Sequence, residues 1–292
     1  MTKARAMREL LARKELVVSP NVYDGYSAML VAKMGFKAAA TTGAGLSNAR
    51  LGLPDIGLLS MKENVEACRM LAQLLPIPLM ADAETGYGNA VSVFHAVQYF
   101  EDAGVVGLNL EDQVSPKRCG HMQGKAVIPA DEMVRKIRAA AGARSSSDFY
   151  IVARTDARAV SGLDEALRRG EQYLEAGADG LFIEAPETVE ELAKIGRTFQ
   201  GVGQFANMVE GGGQTPVLPP DELQKLGFNM VAYPVTVLFR VARVIEQSLA
   251  NIKAGKPMDA NAVDFKGFKD ITGFAEWARI EDTYKQASSS SN

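Results

Sequence analysis

The chain has 292 residues, of which 47% are hydrophobic and 23% charged, with a formal net charge of −3 and a pI near 5.6. These proportions exclude a disordered polymer, and the lack of a basic excess argues against a nucleic-acid partner. No window approaches the roughly 18 apolar residues that span a bilayer, and the leading segment MTKARAMRELLARKEL reads as a charged helix without the apolar core of a secretory signal. Cys68 falls in a helical pattern and Cys119 in a polar loop, so no structural disulfide is expected and a reducing, cytoplasmic setting is the default.

Short apolar runs alternate with helical patterns along the chain. The runs are Val17–Pro20, Ala38–Thr42, Pro78–Glu84, Gly107–Asp112, Tyr150–Ala157, Gly180–Pro186, Gln204–Met208 and Met230–Pro234. Most are apolar without period-two alternation, the pattern of parallel strands buried on both faces. Helical stretches such as Asn89–Ala103 and Leu163–Ala176 lie between them, with glycine-containing exits such as "EAGADG". About eight β-then-α units, with no Gly-rich dinucleotide fingerprint, predict one α/β domain built as a TIM-type (β/α)8 barrel over residues 1–254. Residues 255–292 read as a helical extension of the same domain, ending in a disordered tail, QASSSSN. Its Phe265, Phe268, Phe274 and Trp277 call for a covering surface such as a second subunit.

In such a barrel, function gathers where the strands end. Six successive runs deliver polar groups there: "TTGAG", then Asp82 and Glu84, Glu111 and Asp112, Arg154 and Asp156, Glu184, and Asn207 with Glu210. Asp55, Asp82, Glu84 and Glu111 are expected to converge on one point. Crowded carboxylates need a cation, and hard oxygen ligands without histidine or thiolate suit Mg²⁺, or Mn²⁺, rather than zinc. Asp82 and Glu84 alternate along a strand and so should point to one side. The competing reading pairs these acids with Arg154 and Lys117.

The segment SPKRCGHMQGK, Ser115–Lys125, is a long loop on the same face. It holds Lys117, Arg118, Cys119, His121 and Lys125, a cationic setting that should lower the thiol pKa, and Gly120 and Gly124 would let it move as a lid. Cys68 is expected to be buried and inert. The turn TTGAGLSN, Thr41–Asn48, offers hydroxyls and backbone N–H groups to an oxyanion without the lysine of a P-loop, and Arg154 can clamp a carboxylate. A divalent metal, an oxyanion cradle and an arginine together suit a small substrate with several carboxylates.

Five motifs in order, LGLPD (Leu51–Asp55), DAETGYG (Asp82–Gly88), LEDQVSPKRCGH (Leu110–His121), ARTDA (Ala153–Ala157) and ANMVEGG (Ala206–Gly212), resemble the isocitrate lyase and phosphoenolpyruvate mutase superfamily. The chain is most similar to its methylisocitrate lyase, 2,3-dimethylmalate lyase and carboxyphosphonoenolpyruvate phosphonomutase branches. The resemblance implies a Mg²⁺-dependent barrel, commonly a homotetramer whose C-terminal helices swap between subunits. It places the metal on Asp82 directly and on Asp55, Glu84 and Glu111 through water. It places the 2-oxo or 2-hydroxy acid end of the substrate on Thr42, Gly43, Ala44 and Arg154. Lys117, Cys119, Gly120 and His121 would form the gating loop, and Glu184, Asn207 and Thr215 the rest of the pocket.

The chain departs from the family at three positions. Glu84 stands where an aspartate is usual, Phe239 where methylisocitrate lyases carry an arginine, and Pro234 where oxaloacetate-hydrolysing relatives carry serine. The implied reaction is retro-aldol cleavage of a 2-hydroxy dicarboxylate of the 2-methylisocitrate or 2,3-dimethylmalate class, with the missing arginine favouring the smaller substrate. Cys119 would be the general acid, with Lys117, His121 and Arg154 beside it. Tyr23, Glu111 and a metal-bound water stand open as the first base. An oxaloacetate decarboxylase or hydrolase, a phosphonomutase, and a non-catalytic 2-oxo acid binder are the competing functions.

Overall fold

The computed structural model describes residues 1–13, 15–257 and 262–289. Eight parallel strands close into a barrel in sequence order: β1 (Val17–Val22), β2 (Ala39–Thr41), β3 (Leu79–Asp82), β4 (Gly107–Glu111), β5 (Tyr150–Thr155), β6 (Gly180–Ile183), β7 (Gly203–Asn207) and β8 (Met230–Tyr233). β8 returns to β1 through the register Val17↔Met230 to Pro20↔Tyr233. All eight expected runs become strands. Several ladders stop one to three residues before the predicted end because the polar residues there turn out of the sheet. The two quoted helices are observed as Ala90–Asp102, capped by the Asn89 side chain, and Leu163–Glu175.

Both faces of the strands are buried, and they fill different cores. Val17, Ala40, Met80, Tyr150, Val152, Phe182, Phe205 and Met230 fill the barrel interior, joined by Met7 and Leu11 of the N-terminal helix Lys3–Leu11. Leu79, Ala81, Leu108, Leu110, Ile151, Ala153, Leu181, Ile183 and Ala206 form the layer between wall and helices. The two-residue alternation is therefore present but hidden, because both faces are apolar. Counting upward from the interior layer in steps of two leads from Met80 to Asp82, from Asn109 to Glu111, from Val152 to Arg154, from Phe182 to Glu184 and from Phe205 to Asn207. The side-chain period thus aims five functional candidates into the mouth of the barrel.

The chain divides into two compact units, Met1–Phe239 and Arg240–Asn292. The second comprises the remainder of the helix Thr236–Lys253 and the helices Phe265–Ile271 and Phe274–Ser289. The last helix runs into the segment read as a disordered tail, and residues 290–292 lie outside the described residues. Among the described residues no helix is long and apolar enough to cross a membrane.

Candidate active site

A cavity of about 250 Å³ opens at the carboxyl ends of the strands, bordered by Thr42, Ala44, Asp55, Asp82, Lys117, Cys119, Gly120, His121, Arg154, Glu184 and Asn207. These predicted site residues come together although they arise from separate strand ends and loops. Gly43, Glu84 and Glu111 stand directly behind the lining, while Thr215 is buried without bordering the cavity.

On one side lie the acids. Asp82 ends β3, and its carboxylate accepts the N–H of Gly43 (2.9 Å) and of Glu84 (3.1 Å). Glu84 does not continue the strand, contrary to the expected alternation. It sits past the ladder with φ 54°, in a turn that also contains Tyr87 at φ 61°. This left-handed backbone, uncommon for residues other than glycine, swings the longer glutamate back over Asp82. A Cβ on Gly43 would lie 2.0 Å from Glu84 Oε1 and 3.2 Å from Asp82 Oδ2, so only glycine leaves room for both carboxylates. The turn is held by residues the sequence reading did not single out. Asn64 donates to Asp82 O and to the Tyr87 hydroxyl (both 2.7 Å), and Lys136 donates to Thr85 O (3.0 Å).

Lys117 enters this cluster from the loop, with Nζ 2.5 Å from Asp55 Oδ1 and 2.9 Å from Glu84 Oε2. Arg154 reaches Glu111 (3.3 Å) and Glu184 (3.3 Å). Of the pairing of Asp82 and Glu84 with Arg154 and Lys117, the structure shows Lys117 with Glu84, while Asp82 takes backbone N–H groups and Arg154 turns to Glu111 and Glu184; the acids are left incompletely served. Glu84 Oε1 and Glu111 Oε1 lack a hydrogen-bond partner although buried, and Glu84 Oε2 has the Lys117 ammonium alone. Burial pushes the Glu84 and Glu111 carboxyls up, against the pull of Lys117 on the first and Arg154 on the second. Among the described residues no trio of His, Cys, Asp or Glu is already drawn together around a metal-sized space; the Lys117 ammonium stands between them. The donor set nevertheless fits a hard divalent cation: Asp82, Glu84, Asp55 and Glu111 offer oxygen only, with several oxygens unspent.

On the other side lies the loop. Cys119 N–H donates to Asp55 O (3.2 Å), and the thiol is half-buried. The expected lowering of its pKa is reversed. Burial pushes the thiol up against a hydrogen bond from the His121 backbone, Asp55 and Glu184 add to the rise, and Lys117, engaged by carboxylates, opposes it least. Counting cations in the sequence missed that Lys117 and Lys125 are already engaged by Asp55, Glu84 and Asp156. His121 Nδ1 accepts the Gln214 N–H (3.0 Å), which leaves Nε2 facing Glu184 Oε1 at 3.0 Å. Glu184 also accepts from Asn207 (3.1 Å). Its own burial is outweighed by Arg154 and His121, which bring it down to about 2. Cys68 is fully buried, and burial raises its thiol to about 12, in keeping with an inert role.

Asn21, Asn109, Pro234, Val235 and Phe239 also border the cavity. Asn21 and Asn109 were not anticipated as site residues. A lone amide at an inward position of an apolar strand was the available signal, and the oxygen of each is buried without a hydrogen-bond partner.

Comparison with known proteins agrees with this geometry. The profile of the family described as phosphoenolpyruvate phosphomutase matches residues 7–253. A 2,3-dimethylmalate lyase from Eubacterium barkeri is 43% identical over 287 residues, covering 97% of this chain and 99% of the relative. Among solved structures, oxaloacetate acetylhydrolase in complex with 3,3-difluorooxalacetate superposes with a TM-score of 0.93 at 32% identity, covering 97% of each chain. Phosphonopyruvate hydrolase in complex with oxalate and Mg²⁺ superposes with a TM-score of 0.86 at 30% identity, covering 97% of this chain and 99% of that one. The chain belongs to the phosphoenolpyruvate phosphomutase family, within the PEP mutase/isocitrate lyase superfamily.

Proposed function

We propose that this protein is a Mg²⁺-dependent carbon–carbon lyase that splits a substituted malate of the 2,3-dimethylmalate class into a 2-oxo acid and a second carboxylic acid. The observation that carries this reading is the placement of the Cys119 thiol on the same cavity as the Arg154 clamp and the under-satisfied acids. The named activity of the Eubacterium barkeri relative and the Mg²⁺ in the phosphonopyruvate hydrolase complex support it.

Asp82, Glu84, Asp55 and Glu111 would hold the cation, which supplies Lewis-acid polarisation of the 2-hydroxyl and its neighbouring carboxylate. The chain's own residues do the rest. Arg154 presents a fixed guanidinium, braced by Asp156 at 2.9 Å, to a substrate carboxylate. The Thr42–Ala44 turn holds the same end of the substrate. As the C2–C3 bond breaks, its electrons pass to the departing acid as an enolate-like dianion, and the 2-hydroxyl proton leaves to a base. Asn207, which gives one amide N–H to Glu184, would offer its other to that charge, and His121 would donate to it by turning from Glu184. Cys119 then gives its S–H proton to C3; a raised thiol pKa keeps that proton in place at neutral pH, which suits an acid and not a nucleophile. Lys117, paired with Asp55 and Glu84, keeps the loop seated on the acids.

The lining also carries Val209, Pro234, Val235 and Phe239, and among its described residues Lys117 and Arg154 are the lysine and arginine. It therefore fits alkyl substituents better than the extra carboxylate of a methylisocitrate, and it offers no hydroxyl at residue 234 for a hydrolytic route. Cys119→Ser should bind Mg²⁺ as the wild type does yet lose about 10²-fold or more in turnover of 2,3-dimethylmalate, measured as 2-oxo acid released. Near-normal turnover would remove Cys119 from the mechanism. Release from oxaloacetate or phosphonopyruvate, but from no malate, would move the function to a hydrolase, decarboxylase or mutase. Binding of a 2-oxo acid with no turnover of any of them would make the protein a sensor.

The same reading includes a cytoplasmic homotetramer with swapped C-terminal helices. It is supported by apolar residues left open on the second unit, among them Phe265 and Trp277 at 78% and 68% exposure. Light scattering of the full chain and of a chain ending at residue 257 tests it.

A further inference from the structure

The loop that carries Cys119 is tied down by a residue that does not border the cavity. Lys125 donates to the Gly120 carbonyl and, at 2.8 Å, to Asp156 Oδ1. The Lys125 and Asp156 side chains are 2% and 0% exposed. The same carboxylate holds Arg154, with Nε 2.9 Å from Oδ2 and Nη2 3.1 Å from Oδ1. One buried carboxylate thus grips both the substrate-facing arginine and the middle of the loop.

Gly120 shows how closely the two are joined. A Cβ there would lie 2.4 Å from Arg154 Nη2 and 2.8 Å from Glu184 Cδ. Lys125 draws the Gly120 carbonyl inward and so seats that glycine against the guanidinium. Asp156 is in turn anchored from outside the barrel: its N–H donates to Asp112 Oδ1 (2.9 Å), and Asp112 Oδ2 takes the hydroxyls of Thr155 and Tyr173 and a guanidinium N–H of Arg169. The base of the loop is fixed separately by the Gln113–Val127 bridge and by Val114 N–H to Ala126 O (2.8 Å). The Lys125 contact therefore governs the tip.

We propose that Asp156 is a positioning residue that, through Lys125, latches the Cys119 loop against Arg154, so that loop closure and alignment of the carboxylate clamp are one event. The sulfur is brought to its working position by a lysine that itself never meets substrate. Removing Lys125 leaves the Gly120 carbonyl without its inward tie, the tip then resting on Lys117, His121, the Cys119 N–H to Asp55 and the Gln113 side chain on the Arg118 backbone, and the tip spends more time open. Replacing Asp156 loosens both the tip and the clamp. The two changes are thus separable: loss of Lys125 affects the proton-donating step alone, and loss of Asp156 affects that step and substrate affinity together.

The test uses the full chain and does not need the substrate to be known. The rate of iodoacetamide alkylation at Cys119 is followed by peptide mass, with buried Cys68 as the internal unreacted control. Lys125→Met should alkylate about tenfold faster than the wild type, and Lys125→Arg, which keeps the ion pair, should stay within about threefold of it. With 2,3-dimethylmalate, Lys125→Met should lower kcat about tenfold with KM nearly unchanged, whereas Asp156→Asn should lower kcat and raise KM. An alkylation rate for Lys125→Met within about twofold of the wild type overturns the latch. A Lys125→Met chain that does not fold also overturns it, since a loop latch is dispensable for a barrel. If alkylation responds as expected while no chain, wild type included, turns over 2,3-dimethylmalate, the latch stands and the lyase reading falls.

Discussion

Glu111 and Asp112 are neighbours in sequence and end on opposite sides of the barrel wall. Glu111 faces inward, next to Arg154, and keeps one oxygen without a hydrogen bond. Asp112 faces the helices, and its two oxygens together accept four hydrogen bonds, from the Asp156 N–H, Thr155, Tyr173 and Arg169. The same contrast holds for the groups around them. The outer network is closed, while the inner one of Asp55, Asp82, Glu84 and Glu111 has more buried oxygen than the chain can satisfy. Buried charge that is fully paired holds structure; buried charge left in deficit is kept for something the chain does not supply.

The sharpest way to break that comparison is to cut one member from each network. Asp112→Ala strands a buried guanidinium, two hydroxyls and a backbone N–H, and should cost about 3–5 kcal/mol in urea unfolding. Glu84→Gln takes a negative charge out of a crowded set while Lys117 keeps Asp55. It should cost less than about 1 kcal/mol, or stabilise. Equal losses from the two substitutions would mean that the inner acids are structural after all.

The next effect is smaller and separates the networks by ligand. Mg²⁺ at about 100 times its dissociation constant should stabilise the wild type by roughly 2.7 kcal/mol, read as a rise in Tm. Asp82→Asn should blunt that rise, and Asp112→Asn should leave it in place on a lowered baseline. No Mg²⁺-dependent shift in the wild type would leave the unsatisfied oxygens without their assigned occupant.

The parity that sorts Glu111 from Asp112 was available in the sequence but could not be read there. With both strand faces apolar, Leu108 and Leu110 look no different from Val152 or Phe205, so nothing marks which face is inward. The barrel, its eight strands and the gathering of polar strand ends were legible because they depend on segment order and composition. The left-handed turn at Glu84 was not, since strand alternation alone gave the same prediction of convergence by a different path. Nor was the state of Cys119: its cationic neighbours are visible in KRCGH, but Lys117 turns out to be engaged by Asp55 and Glu84, which lie far from it in sequence. Charge pairing over such distances is a property of the fold and leaves no local trace.

The smallest effect concerns how the outer network is buttressed. Glu165 accepts two hydrogen bonds from Arg168 (2.7 Å each) and one from Arg169 Nε (2.8 Å), and Arg169 carries the link on to Asp112. The Arg168 hydrogen bonds, with Arg169 behind them, bring the Glu165 carboxyl down to about 2. A carboxylate with a depressed folded pKa lends its full stability above the unfolded value of about 4.5 and loses it as pH falls toward 2. Glu165 is 26% exposed, so solvent screening should hold the gain below about 1 kcal/mol. Urea unfolding of the wild type and of Glu165→Gln between about pH 5 and pH 2.5 isolates it, because the other carboxylates, Glu184 among them, titrate in both proteins. The wild type should be the more stable at pH 5, and the gap should shrink as the pH falls. A gap that stays constant across that window would mean that Arg169 holds Asp112 without help from Glu165, and the outer network would then be closed by its buried members alone.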